Sequence, residues 1–136
     1  MRTIALRSAP CLAAAALALA LTQGAAAQDL AAGSVWKNEN NSTMTINSVD
    51  PNTGLIAGTF ETGVGCGVGT PRPLSGFYNQ GAITLTVNFE DCNSATAWSG
   101  QVTAAGNQIV TLWYLAVSGT PAWDSIIAGT DVFTLQ

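Results

Sequence analysis

Four residues of this sequence have the types and placement to do chemistry: Trp98, Trp113, Thr96 and Asp131. Apolar alternation at period two puts them on the inward side of their strands. An inward aspartate is the anomaly among them, because a buried carboxylate is costly unless something donates hydrogen bonds to it. One reading makes Asp131 the acceptor for a buried polar ligand set among aromatic walls, as in most small-molecule pockets. The other leaves it at a solvated rim, or capping backbone amides. Catalysis has thin support. The chain contains no histidine, so its serines lack the base of a serine triad, and neither a zinc site nor thiol catalysis is expected. Glu90 and Asp91 are adjacent, so on a strand they would point to opposite faces. No second inward carboxylate supplies the opposed pair that a glycosidase needs. The residues point to a binding protein that is not an enzyme and uses no cofactor and no metal.

The elements that must position these side chains read as short strands. The clearest is Ala82 to Phe89, where Ile83, Leu85, Val87 and Phe89 share one face and Thr84, Thr86 and Asn88 the other. The further strands are Ser34 to Asn38, Thr43 to Val49, Leu55 to Glu61, Pro73 to Tyr78, Ala95 to Val102, Gln108 to Val117 and Gly129 to Leu135. Turn chemistry separates them at Asp50-Pro51-Asn52-Thr53-Gly54, Asn79-Gln80-Gly81 and Ala105-Gly106-Asn107. The pattern predicts an all-β fold, an eight-stranded antiparallel up-and-down β-barrel, which abolishes sheet edges; a sandwich is the alternative. A barrel of about eight strands has room inside for side chains or one small ligand. The best helix candidate is Ala122 to Ile127. In Gln108 to Val117 both faces are apolar: Ile109, Trp113, Leu115 and Val117 can face inward, leaving Val110, Leu112, Tyr114 and Ala116 outside. That outer strip predicts a homo-oligomer, with a covering loop or terminal segment as the alternative.

The first 27 residues are read as a secretory signal peptide: Arg2 and Arg7, an apolar run from Cys11 to Leu21, then Ala25-Ala26-Ala27 before Gln28. Cys11 opens the apolar run, so it is expected to leave with the signal. The barrel then occupies residues 28–136, in a secreted or periplasmic protein. Loss of Arg2 and Arg7 leaves Lys37 and Arg72 against all eight acids, a balance that argues against nucleic acid. No second apolar stretch is long enough for a helical membrane span. In an exported domain Cys66 and Cys92 most simply form one disulfide, two buried free thiols being the alternative. Asn41-Ser42-Thr43 is a glycosylation sequon.

Five stretches in order carry a resemblance to the avidin and streptavidin family: Trp36-Lys37-Asn38 with Ser42-Thr43; Gly58-Thr59-Phe60-Glu61; Asn93 through Gly100; Trp113-Tyr114-Leu115; and Trp123 with Gly129 through Phe133. The paired cysteines further resemble the short bacterial avidins, in which a disulfide joins two loops beside the site. The resemblance implies that the barrel binds biotin. Asn38 and Ser42 would donate to the ureido oxygen, while Asp131 and Thr62 would accept the two ureido N–H groups. Thr96 would meet the thioether sulfur, and Ser94 with backbone near Cys66 the valeryl carboxylate. Trp98, Trp113 and Phe89 would wall the bicyclic ring, with Val64 and Leu115 also against the ligand. Phe60 stands where the family usually has a tyrosine that donates to the ureido oxygen, a loss of about 1–3 kcal/mol. Phe89 replaces a common tryptophan and gives up contact area, which stiffening by the disulfide would partly offset. Trp123 matches the tryptophan that reaches a neighbouring subunit's pocket in tetrameric members. Many disulfide-bearing members lack it and are dimers, so dimer, tetramer and larger assemblies all stay open. Two other roles remain open as well: a barrel for a different small ligand, and a secreted protease inhibitor using the short arm Gln28 to Gly33.

Overall fold

The computed structural model describes residues 29–119 and 121–136; the expected signal peptide lies outside them. Eight antiparallel strands close in sequence order into a barrel, which excludes the sandwich. They are β1 (Val35–Lys37), β2 (Thr43–Val49), β3 (Leu55–Glu61), β4 (Arg72–Asn79), β5 (Ala82–Phe89), β6 (Ser94–Val102), β7 (Gln108–Val117) and β8 (Ile126–Leu135). Alternation sets the inside. In β5, Ile83, Leu85, Val87 and Phe89 are buried and the residues between them exposed. Met44, Ile46, Ile56, Ile109 and Phe133 are completely enclosed, and Leu30 joins the same core.

The two ends of the barrel differ. Tight connections join β2 to β3, β4 to β5 and β6 to β7. Gln80 and Gly81 form a two-residue hairpin loop, both at positive φ (48° and 98°), the backbone that matches strand twist. The connections at the opposite end, after β1, β3, β5 and β7, surround the open mouth. One of them holds a 3-10 turn, Glu90–Cys92, closed by Asn93 in the left-handed region.

One expected helix and several strand bounds are corrected, among them β1, which is Val35–Lys37 and not Ser34 to Asn38, and β6, which begins at Ser94 and not Ala95. Ala122 to Ile127 is not a helix: Ile126 and Ile127 pair with Ala116 and Leu115 and begin β8. Their β-branched side chains suit a ladder better than a helical turn, and Val117 N–H bonds Ser125 O at 2.8 Å to start it. β8 therefore begins three residues before the expected Gly129, and Asp131 sits mid-strand. β4 likewise begins at Arg72, which is buried, rather than at Pro73.

Closure is uneven. β1 pairs with β8 only at Trp36–Leu135 and Lys37–Thr134. Just beyond that seam, the Val132 N–H donates to the Glu39 carboxylate (3.1 Å).

Candidate functional site

The open end holds a cavity of about 350 Å³, within the usual range for small-ligand sites. Its polar corner is built by the loop between β1 and β2. Asn38 Oδ1 accepts the backbone N–H groups of Asn40 (3.1 Å) and Ser42 (2.8 Å), while Asn41, at φ 60°, turns the chain back. These two bonds use the amide oxygen of Asn38 and leave its Nδ2 as a donor. Ser42 Oγ accepts the Gly63 N–H (3.0 Å), so its proton is available to donate. Thr62 is the reverse. Its hydroxyl donates to Val64 O (2.7 Å) and accepts the Val64 N–H (3.3 Å), which leaves one lone pair of its oxygen to accept. The corner therefore offers two fixed donors, Asn38 and Ser42, and two acceptors, Thr62 and Asp131.

Asp131 is 5% exposed, and the Trp98 indole N–H donates to its Oδ2 at 2.8 Å. The inward carboxylate thus has a donor within the protein, which answers the cost raised by the sequence. Register makes this possible, since Trp98 faces Trp113 on β7 and Thr111 faces Asp131 on β8. Thr111 Oγ1 ties the strand by donating to Asp131 O (3.1 Å). Burial pushes the Asp131 carboxyl above the usual aspartate range; the Trp98 bond opposes this, nearby Glu39 adds to it, and Asn38 and Trp113 oppose it further.

The walls are aromatic. Phe60 lies 5.1 Å from Trp98 and 6.2 Å, edge-on, from Phe89, between ring centroids. Trp113 stands against Gly129 so closely that any Cβ there would collide with its ring. At the mouth, Cys66 and Cys92 form the expected disulfide. It joins the loop after β3 to the 3-10 turn, and Val64, Cys66, Ser94, Thr96 and Leu115 line the space beside it.

The cavity thus gathers every residue named from the sequence except Trp123, which is 89% exposed between β7 and β8 and does not pack on its own barrel rim. Sequence reasoning did not name Asn40, Gly65 and Val117, which also line it, nor Cys92 as a wall in its own right. Val117 was legible as an inward position of β7; Asn40 and Gly65 sit on loops without periodicity. Among the described residues no cluster of His, Cys, Asp or Glu could hold a metal ion.

A closed barrel with a cavity at one end, polar in one corner and aromatic along its walls, defines the class of small-ligand-binding β-barrels. The profile of the Avidin family matches residues 26–136, and the chain belongs to that family. It is 39% identical over 114 residues to afifavidin of Afifella pfennigii, an alignment covering 77% of this chain and 69% of that protein. Among solved structures, a shwanavidin variant in complex with biotin superposes with a TM-score of 0.72 at 34% identity, covering 81% of this chain and 100% of that one. A bradavidin2–biotin complex superposes with a TM-score of 0.69 at 35% identity, covering 79% and 99%.

Proposed function

We propose that this chain binds biotin, without catalysis, in the open end of its barrel, as a secreted or periplasmic protein. The observation that carries the reading is the fixed polarity of the corner. A cyclic urea presents one oxygen that needs donors and two N–H groups that need acceptors. Asn38 and Ser42 meet the first need, Thr62 and Asp131 the second. Fixed dipoles in a pocket walled by aromatic rings make each such bond count. The biotin complexes of two relatives support the same reading. Calorimetry tests it: the folded chain should bind biotin with saturable stoichiometry and bind poorly an analogue lacking the ureido oxygen. Equal binding of both would sink the urea assignment.

The same reading extends to self-assembly. Val110, Leu112 and Tyr114, each 47–56% exposed, run down the outside of β7, with Ile126 beside them on β8 at 63%. No loop or terminal segment among the described residues covers this strip. An apolar strip of this kind favours a second copy of the chain, and Trp123 stands free to meet a neighbour. Sedimentation should show an oligomer, and Leu112→Lys with Tyr114→Lys should reduce it to a monomer. A monomeric parent protein at micromolar concentration would refute this.

A further inference from the structure

Arg72 does not line the cavity, yet its side chain is 6% exposed. It opens β4 on the inward face and spends its donors on three partners. The guanidinium donates to Gly67 O (3.2 Å) and Thr70 O (3.0 Å) in the loop after β3. It pairs with Asp91 of the 3-10 turn and lies 4.9 Å from the centroid of the Phe89 ring, which is itself a cavity wall. Gly67 packs so tightly on the guanidinium that a Cβ there would collide with it. These two segments are the ones that the Cys66–Cys92 disulfide joins.

We propose that Arg72 is a positioning residue that latches the 62–70 loop to the 90–92 turn at the cavity mouth, a second tie in parallel with the disulfide that holds the ligand when the disulfide is reduced. The kinetic part rests on the biotin reading. A planar fork of five donors can serve two carbonyls and a carboxylate in different directions; a lysine ammonium cannot. Asp91 is 62% exposed, so salt screens the ion pair, and the two carbonyl bonds to a buried charge hold the loop more firmly. Two ties joining the same segments back each other up, so their losses combine by more than their product.

The test compares the full chain with Arg72→Met, Arg72→Lys and Asp91→Asn, each oxidised and after reduction of the disulfide. Two quantities are read: the release rate of biotin and of its methyl ester, and, without ligand, hydrogen exchange of the Gly69 and Thr70 amides, which bond Thr62 O and Gly67 O. Reduction alone and Arg72→Met alone should each speed release severalfold. Together they should exceed the product of the two by about tenfold, for acid and ester alike. The Gly69 and Thr70 amides should lose protection while β5 and β6 keep theirs. Arg72→Lys should not rescue, and Asp91→Asn, which keeps the buried guanidinium and both carbonyl bonds and so still tests the latch if the Met variant misfolds, should fall between. The latch is refuted if Arg72→Met after reduction matches the reduced parent in release and exchange, or if strand protection falls in step with the loop. It is equally refuted if release of the free acid speeds and that of the methyl ester does not, which would make Arg72 a counter-charge. Should the parent not bind biotin, the functional reading fails, and the exchange comparison still decides the latch.

Discussion

Replacing Asp131 by Asn should move affinity and stability in opposite directions. The side chain is 5% exposed and its Oδ2 accepts the Trp98 N–H at 2.8 Å. In the variant only the amide oxygen can serve that indole, so the amide NH2 must turn toward the ligand and face another N–H. The ligand then loses a hydrogen bond to a charged acceptor, about 1.5–3 kcal/mol, and leaves a donor unpaired, about 1–3 kcal/mol. Together these amount to about 2.5–6 kcal/mol, or roughly two to four powers of ten in Kd. Without ligand the shape is kept, the bond to Trp98 survives and the cost of burying a charge is gone, so thermal stability at neutral pH should rise. Calorimetry with biotin and melting curves without it read the two quantities separately. Unchanged affinity would remove Asp131 from the site, and a parallel fall in both would show that the residue only supports the fold.

The same carboxyl sets a pH dependence. Its raised pKa means that the folded chain holds the proton more tightly than the unfolded one. The carboxylate therefore costs stability at pH above the raised value, and that cost disappears as pH falls through it. Ligand N–H groups favour the carboxylate, so biotin affinity should drop over the same window, which begins above the ordinary aspartate pKa of about 3.9. The Asn variant should show neither change.

Phe60→Tyr places a hydroxyl among the cavity-lining aromatics and, by restoring the donor that the resemblance implies is missing, should tighten biotin binding by about 1–3 kcal/mol, read by calorimetry. Gly129→Ala drives a methyl group into the ring of the cavity wall Trp113; overpacking of this kind should cost about 1–3 kcal/mol of stability in denaturant unfolding and weaken biotin binding in calorimetry. Replacing Cys66 and Cys92 together by Ser releases a link across 26 positions. It should lower stability by about 2–4 kcal/mol in denaturant unfolding.

Period-two alternation fixed four strands to the residue, Thr43–Val49, Leu55–Glu61, Ala82–Phe89 and Gln108–Val117, because in a barrel each inward side chain meets the core and each outward one meets water. The same logic failed at Arg72, where an inward charge contradicts the pattern and its partners lie 5, 2 and 19 positions away. It failed at Ile126 and Ile127 too, since local composition there carries no record of β7, their partner across the loop. The cavity walls were legible from the family resemblance. The bond from Trp98 to Asp131, across 33 positions, was not, because alternation says which residues face inward and not which of them meet. The donor or acceptor character of Asn38, Ser42 and Thr62 likewise depends on backbone groups that only the folded loops bring near.

With only two residue pairs joining it to β1, β8 has no strand partner on that side from Ile126 to Val132 among the described residues. Free backbone of that length is a template on which a stray chain could add a strand and seed aggregates. Glu39 takes the Val132 amide, occupying the nearest vacant rung and setting a negative charge beside it. One acidic side chain thereby makes the loosest border of this barrel a poorer template for an added strand.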